Sequence, residues 1–414
     1  MEVRNVLFVF LLLSLSCQMT FQAQMESFRL RSMYKSFRDF LFKQIERTGM
    51  SRGLATADGE RKLQRHVATA FSFPCNVTNT RSPTRPTSVH RLRPGDIDVV
   101  GAIGDSLTAA NGAAATLILQ VLNENRGLSA LIGGQGNWRD FLTLPNILKE
   151  FNPNLIGYSL GDALGHHKAS QFNAAEPAAM SQDIYFMAKE LVRRIKSDKR
   201  VDFKNDWKLI TLFIGSNDFC LNFCYMNAKN FKNSAETHRR ELTAALDYLR
   251  DNLPRTLVNV LLPPNLKLLA ELKGLPAQCD TLHLVTCPCL FGKIRKSHFE
   301  ENIRMQTEWQ KVQTEVTSDV RYRQKEDFAV VLQTFTKHLT FPEVRQGVND
   351  KSFLSADCFH LSQKGYARVT NALWNNMLEP VGSKSEDWKE TFERFLCPTE
   401  KHPFIYTYGN SFRS

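Results

Sequence analysis

The chain has 414 residues, of which 43% are hydrophobic and 23% are charged, and its formal net charge is +11. This composition supplies enough apolar residues for the hydrophobic core of one sizeable domain, so it excludes a chain that lacks such a core. The sequence contains no internal repeat or low-complexity tract, which excludes a repeat architecture, and its basic charge favours contact with acidic surfaces.

The N-terminal residues have the layout of a secretory signal peptide. Arg4 precedes an apolar run at residues 6–13, and small residues such as Ser16 and Ala23 follow. The apolar run is short for a helix that spans a bilayer. We therefore expect residues 1–23 to be a signal peptide and the protein to be secreted. The alternative is membrane association through an uncleaved N-terminal anchor.

A basic extension follows at residues 24–90. In residues 26–48, Phe, Leu, Ile and Met interleave with Arg and Lys, which predicts a basic amphipathic helix. Such a helix either packs on its own domain or contacts an anionic membrane surface. Residues 48–94 are rich in Arg, Ser, Thr and Pro and are typical of a linker or propeptide. No nucleic-acid recognition fold surrounds their charges, so we expect no nucleic-acid partner. Asn76 begins an Asn-x-Thr glycosylation sequon.

Residues 91–382 alternate between apolar runs of strand length and helical patterns. The runs lie at 98–103, 128–132, 155–159, 209–214, 257–262 and 328–332. The helical patterns lie at 180–197, 235–253, 299–316 and 362–378. The runs are mostly too continuous to be half exposed, so they predict a buried parallel sheet. The alternation predicts an α/β fold in a single catalytic domain, a doubly wound sheet sandwiched by helices, with residues 383–414 as a C-terminal extension packed on it.

Three residues have the chemistry of a serine nucleophile, its histidine base and the carboxylate that orients the base. The sequence GDSL at 104–107 directly follows the first run, and a strand ending in a glycine turn can present Ser106 for attack. Near the end of the fold, DCFH at 357–360 places Asp357 three residues before His360. A histidine can remove the serine proton, and a carboxylate can orient that histidine. In isolation, the first motif is more typical of an ordinary α/β turn, and the second of a solvated loop or helix cap.

Two more turns follow apolar runs, GGQGN at 133–137 and GSND at 215–218. The carboxyl ends of parallel strands gather at one edge, so Ser106, Gly134 and Asn217 are expected to converge there. A glycine N–H and an asparagine amide can donate to a tetrahedral oxyanion. Taken separately, each pattern is more typical of a βα turn.

In this order and setting, the blocks resemble the GDSL, or SGNH, hydrolase family, and within it the phospholipase B branch. The resemblance also rests on LPNIL at 144–148, FNP at 151–153 and LWNNMLEP at 373–380. It implies that Ser106 is the nucleophile and first oxyanion donor, that His360 is the general base and that Asp357 is its partner. Gly134 and Asn217 are implied as the second and third donors.

Two adjacent glycines, Gly133 and Gly136, are alternatives for the role of Gly134. The sequence departs from the family pattern at one other place, where Ala178 stands at a position that the pattern gives to glycine. That departure leaves the local backbone geometry at residues 173–179 open.

The resemblance further implies a serine esterase that hydrolyses acyl esters of phospholipids and lysophospholipids through an acyl-enzyme, with no cofactor. No obligate protein partner is expected. One alternative is an esterase for neutral lipid, retinyl or carbohydrate esters. The other is a non-catalytic secreted lipid-binding protein.

Nine cysteines fit an oxidising compartment. Cys17 lies at the signal boundary, and the other eight permit four disulfides whose connectivity the sequence does not give. Cys220 and Cys358 lie near catalytic blocks, where they either staple active-site loops or remain buried thiols. A metal site on Cys287, Cys289 and the Cys220/Cys224 pair lacks the repeated Cys-x-x-Cys geometry, so we expect no metal.

Overall fold

The computed structural model describes residues 28–47, 56–57, 61–78, 80–292 and 298–412; in the first range, side chains are described for residues 35–44. The expected signal peptide and Cys17 lie outside the described residues. The central sheet contains β1 (Ile97–Gly104), β2 (Trp207–Phe213), β3 (Thr256–Leu261) and β4 (Phe328–Gln333). These strands are all parallel and lie in the order β1-β2-β3-β4. A separate antiparallel pair consists of β5 (Glu343–Arg345) and β6 (Val348–Asn349).

Helices connect and cover the strands. The α-helices are α1 (Phe28–Arg47), α2 (Ser106–Ala109), α3 (Leu144–Phe151), α4 (Ile184–Ser197), α5 (Ala228–Lys232), α6 (Ser234–Asn252), α7 (Lys267–Ala270), α8 (Ala277–Thr286), α9 (Pro288–Phe291), α10 (Phe299–Thr317), α11 (Gln363–Met377) and α12 (Tyr408–Ser411). Short 3₁₀ helices occur at Val89–Arg91, Pro94–Asp96, Ile118–Leu122, Arg126–Leu128, Lys168–Ser170, Ser181–Asp183, Phe223–Tyr225, Val320–Tyr322 and Lys351–Phe353, and a π-helical turn at Asp218–Asn222. The four predicted helices correspond to α4, α6, α10 and α11.

The sheet is buried on both faces because its side chains alternate between two hydrophobic cores. Val100 and Leu209 point into a core that includes α3 and α11. Ile103 and Ile210 point into the other core, which includes α4, α6 and α10. The result is the expected three-layer arrangement, with helices on both sides of a parallel sheet.

Two of the six predicted strands, 128–132 and 155–159, are wrong as continuous strands. Ile156 makes only an isolated parallel bridge to Val99, because Gly157 adopts φ +100° and turns the chain. The segment 128–132 folds into turns. Both segments are largely buried, so the apolar runs indicated burial correctly and backbone conformation incorrectly.

The described part of the N-terminal extension that leads into β1, residues 61–94, packs on the domain. The Gln64 N–H donates to Oε1 of Gln363 in α11 at 2.7 Å. The Phe73 ring meets the Trp138 ring edge-on, with centroids 5.2 Å apart. The predicted linker is therefore wrong for these residues, because polar and aromatic side chains anchor the segment. The alternative of a propeptide stays a prediction.

Helix α1 also packs on the domain. This is the first of the two alternatives given for the amphipathic helix. Phe42 is only 7% exposed, and its ring meets His167 edge-on at 5.4 Å. Arg38 forms ion pairs with Glu124 and Glu176. In the described ranges, no helix combines the length and apolar character needed to cross a membrane.

The C-terminal residues beyond 382 run back over the same domain. Trp388 is buried and its indole N–H donates to the carbonyl oxygen of Thr340 at 2.6 Å. Ile405 is fully buried, and its N–H donates to the carbonyl oxygen of Leu92 at 2.8 Å. These contacts tie the C-terminal segment to the entry of β1.

Candidate active site

The glycine turn after β1 sets the position of Ser106. A Cβ on Gly104 would lie 2.4 Å from the carbonyl oxygen of Phe213, so the close approach of β1 and β2 requires glycine. Asp105 then caps α2 by accepting the N–H of Leu107 at 2.9 Å. Ser106 is thus the first residue of α2, at the carboxyl edge of the sheet.

Ser106 and His360, which are 254 residues apart in the chain, are brought together with Asp357. Nε2 of His360 lies 2.8 Å from Oγ of Ser106. Nδ1 of the same ring lies 2.5 Å from Oδ2 of Asp357. The other carboxylate oxygen of Asp357 accepts the backbone N–H groups of Phe359 and His360, at 3.1 and 3.0 Å. The Asp-x-x-His spacing therefore places both side chains in one turn, directed at the serine.

The electrostatics of this turn favour a basic imidazole. Burial opposes the charged form of His360, but the carboxylate of Asp357 outweighs it, and the pKa of His360 is raised above 6.5. Burial likewise opposes the charge of Asp357, but His360 outweighs it and lowers the carboxyl pKa. Because Asp357 accepts the proton on Nδ1, Nε2 presents its lone pair to the Ser106 hydroxyl.

A disulfide holds the loop that carries these two side chains. Cys358 adopts φ +58° and is bonded to Cys279 of α8. Its carbonyl oxygen accepts the Nε2–H of His283 at 2.8 Å. Of the two alternatives for Cys358, a disulfide and a buried thiol, the structure shows the disulfide, which holds the turn between Asp357 and His360.

All eight cysteines of the described residues are paired. The disulfides are Cys75–Cys397, Cys220–Cys287, Cys224–Cys289 and Cys279–Cys358. The four cysteines of the alternative metal site form two of these bonds, so they are not available as thiolate ligands. Cys220, three residues after Asn217, ties the turn beyond β2 to Cys287, the residue between α8 and α9.

Asn217 lies in the turn that follows β2. Its Nδ2 donates to the carbonyl oxygen of Ala179 at 2.9 Å, which uses one of its two amide hydrogens. Asp218 fixes the same turn by accepting the N–H of Ser181 at 3.0 Å, and burial raises the pKa of that carboxyl well above its usual value. The second amide hydrogen of Asn217 remains available to a ligand.

Gly134 makes different contacts from those predicted. Its N–H donates to the carbonyl oxygen of Ser159 at 2.8 Å, and a Cβ here would lie 2.0 Å from the Tyr158 ring. The Gly133 N–H donates to Ser129 in the same way. In the part of the chain described, no hydrogen bond joins residues 133–136 to Ser106 or His360. The glycine at 134 is thus explained by close packing, and its N–H is occupied.

A second segment near the site, residues 173–179, was marked in the sequence only by Ala178. Ala178 adopts φ +61°, a left-handed conformation that glycine usually takes. Two hydrogen bonds hold the segment. The N–H of Glu176 donates to the carbonyl oxygen of Gly104 at 3.0 Å, and the carbonyl oxygen of Ala179 accepts from Nδ2 of Asn217. It therefore lies between the end of β1 and the turn after β2. Among the described residues, neither the Ala178 N–H nor the Ser106 N–H has a hydrogen-bond acceptor.

The sequon residue Asn76 is exposed, one residue after the buried Cys75. Its Oδ1 accepts the N–H and the hydroxyl of Thr78, at 2.9 and 2.7 Å. The side chain of Asn76 is thus on the surface and remote in sequence from residues 357–360, the candidate catalytic turn.

Residues 100–373 match the protein family described as GDSL-like Lipase/Acylhydrolase. The chain is 40% identical over 346 residues to "Phospholipase B1, membrane-associated" of Homo sapiens, covering 80% of this chain and 23% of that protein. It is 38% identical over 358 residues to the protein of the same name from Mus musculus, covering 84% of this chain and 24% of that protein. The chain therefore spans less than a quarter of the length of each of these curated relatives.

Among solved structures, the chain is similar to the crystal structure of phospholipase A1 from Streptomyces albidoflavus NA297. The sequence identity is 15%, and the similarity covers 66% of this chain and 95% of that one. The TM-score is 0.27, which is too low to support an argument about fold or activity.

Proposed function

The chain belongs to the GDSL-like lipase/acylhydrolase family, and from that membership we propose that it is a serine esterase acting on phospholipids and lysophospholipids. The observation that carries the chemistry is the continuous hydrogen-bonded series from Ser106 through His360 to Asp357. The relatives named phospholipase B1 support the choice of substrate.

In the proposed reaction, Nε2 of His360 takes the hydroxyl proton as Oγ of Ser106 attacks the ester carbonyl carbon. The tetrahedral intermediate collapses when His360 returns that proton to the leaving alcohol, which breaks the ester C–O bond and leaves the acyl group on Ser106. Water then attacks the acyl-enzyme, with His360 again as base, and releases the fatty acid. Asp357 keeps the imidazole oriented and stabilises its cation.

We assign the oxyanion donors to the N–H of Ser106, the free amide hydrogen of Asn217 and the N–H of Ala178. These three groups border the end of β1, and the described residues supply no acceptor for the two backbone donors. Gly134 is replaced in this role because its N–H already donates to Ser159. Removing one such donor typically lowers kcat by about 10²–10³.

A cavity of about 730 Å³ beside the catalytic turn supports a phospholipid substrate. Its lining includes Ser355 and Cys358 and the apolar side chains of Val344 and Val348. Arg61, Lys62, Lys351 and Lys364 also line it, together with Asp350, whose Oδ2 accepts from Nζ of Lys364 at 3.0 Å. A lining that contains both cations and apolar side chains can take a phosphate and an acyl chain.

We also propose that the protein is secreted. Residues 1–23 are assigned as a signal peptide, residues 24–90 as the basic extension, residues 91–382 as the catalytic domain and residues 383–414 as its C-terminal extension. Four disulfides support secretion, because such bonds persist in oxidising compartments. The exposed sequon at Asn76 is assigned as a glycosylation site on the same grounds.

Exposed Phe40 on α1, beside basic Lys43, supports peripheral contact with an anionic membrane surface.

The test measures fatty acid released from phosphatidylcholine and lysophosphatidylcholine vesicles by the parent, Ser106→Ala and Ser181→Ala. Ser181 is a matched control, because its Oγ lies 2.6 Å from Nδ1 of His238 in a second, buried serine–histidine pair. The parent and Ser181→Ala should release fatty acid and react with a fluorophosphonate probe. Ser106→Ala should not react and should lose at least about a thousandfold in rate.

Equal release by the parent and Ser106→Ala would reject Ser106 as the nucleophile. Probe labelling of the parent without release would keep the hydrolase and shift the substrate to neutral lipid, retinyl or carbohydrate esters. Vesicle binding without labelling or release would identify a non-catalytic lipid-binding protein.

A further inference from the structure

Three side chains outside the active site converge where α1 meets the domain. Oδ1 of Asp39 lies 3.0 Å from Nε2 of His166 and 2.8 Å from Nε2 of His167. The three ligand atoms all lie within 4.8 Å of one another. Asp39 belongs to α1, and the two histidines lie on a loop that follows β1 and α3. Only the docking of α1 on the domain creates this cluster.

We propose that Asp39, His166 and His167 form a binding site for a divalent transition-metal ion such as Zn²⁺, which ties α1 to the catalytic domain. Two imidazole nitrogens and one carboxylate oxygen form a ligand set that zinc accepts in proteins, with water as the fourth ligand. Mg²⁺ and Ca²⁺ prefer sets made of oxygen, so the two imidazoles select against them.

The spacing of the donors fits an ion after a small adjustment. Ligands of a tetrahedral zinc ion lie about 3.4 Å apart when each bond is about 2.1 Å long. The present N–O separations are 2.8 to 3.1 Å, so side-chain rotation that moves the donors apart by about 0.5 Å admits the ion. The side chains of Asp39, His166 and His167 are 34%, 27% and 33% exposed, which leaves access for the ion and its water.

One contact must open for the ion to bind. The N–H of Leu164 points at Nδ1 of His167 from 3.3 Å, which places the proton of the neutral ring on Nε2. Coordination through Nε2 moves that proton to Nδ1 and breaks the contact with Leu164. The contact lies beyond the usual N–H distances, so its loss is a minor cost. The ring remains packed against Phe42, which holds Nε2 toward Asp39.

The experiment titrates Zn²⁺ alone into the full chain in metal-free buffer, with calorimetry and Tm as readouts. We expect saturable 1:1 binding and a higher Tm. The double variant His166→Ala with His167→Ala should abolish the Tm shift. Asp39→Asn, which keeps the shape of the side chain, should weaken binding at least about tenfold. With Co²⁺ in place of Zn²⁺, the parent should show visible d–d absorption bands that the variants lack.

The matched control is His66→Ala. His66 forms an exposed pair with Asp140 at 2.8 Å, and no third ligand joins it among the described residues, so its removal should leave binding unchanged. Absence of saturable binding to the parent would overturn the proposal. Binding by the double variant as tight as that of the parent would also overturn it, because the ion would then lie elsewhere. If the double variant does not fold, unchanged affinity in Asp39→Asn is the contradicting result. None of these outcomes depends on esterase activity.

Discussion

Arg126 and Glu124 form an ion pair that is completely buried, with Nη2 and Oε2 2.5 Å apart. The same guanidinium donates to the carbonyl oxygens of Asn173 and Ala175, at 3.0 and 2.8 Å. It thereby holds the start of the segment that carries Ala178. Arg38 of α1 shares the carboxylate of Glu124, so the position of this segment also depends on α1.

We expect Arg126→Lys to destabilise the fold by about 2–3 kcal/mol, because lysine keeps the charge but loses the planar fork that reaches three acceptors. The kcat should fall more than KM rises, since the Ala178 N–H is then less firmly placed. Chemical unfolding and steady-state kinetics measure the two effects. Arg193→Lys is the control: its side chain is 67% exposed, and the change should stay within about 0.5 kcal/mol. Unchanged kcat in Arg126→Lys would contradict a positioning role.

Activity should decline as the pH falls through the raised pKa of His360, because only the neutral ring accepts the serine proton. In Asp357→Asn, the low-pH inflection should move to lower pH, because the carboxylate that raises the pKa is gone. Its kcat should fall by up to about 10⁴. The measurement is kcat/KM across the range in which imidazole titrates. A profile with the same inflection in the parent and Asp357→Asn would show that another group controls the activity.

Gly134→Ala should act on stability, because its Cβ would lie 2.0 Å from the Tyr158 ring. We expect a loss of about 1–3 kcal/mol in the free energy of unfolding. Gly161→Ala is the matched control, since a Cβ there meets nothing within 4 Å. Thermal unfolding of both variants compares the two glycines. A stable Gly134→Ala protein with a much lower kcat would restore Gly134 as an oxyanion donor.

Ala178→Gly should stabilise the protein by about 1 kcal/mol, because glycine adopts φ +61° without the steric cost of a Cβ. The kcat should be largely retained, since the N–H is unchanged. Ala179 has no such positive φ, and Ala179→Gly should be neutral or destabilising. Denaturant midpoints of the two variants provide the comparison. Destabilisation of the same size in both would show that the left-handed conformation at 178 carries no strain.

The disulfide between Cys279 and Cys358 should matter for catalysis as well as stability. Replacing both residues by serine should cost about 2–4 kcal/mol and lower kcat, because Cys358 lies between Asp357 and His360. The control is the same change at Cys75 and Cys397, which closes a longer loop away from the catalytic turn. That variant should lose stability and retain kcat. Equal kcat losses in both variants would mean that a general loss of fold stability, and not the position of Asp357 and His360, explains the effect.

Much of the site was predictable because its signals are local. A strand that ends in Gly104 and a helix that begins at Ser106 are adjacent in sequence, and the Asp357-x-x-His360 spacing closes one turn. The four helices predicted from the sequence, α4, α6, α10 and α11, repeat apolar residues at the helical period. In contrast, residues 128–132 and 155–159 were wrong as strands, because periodicity reports burial and does not report which backbone groups pair.

By itself, the sequence indicated the family, the α/β layering and the residues that we propose as nucleophile, base and acid, since each depends on residue type and short spacing. Only the tertiary structure decided which donors remain for an oxyanion, which cysteines pair, and that Asp39 meets His166 and His167. The physical reason is that an N–H is free only if no carbonyl reaches it. Ser159 reaches Gly134, no described acceptor reaches Ala178, and both facts depend on distant segments folding together.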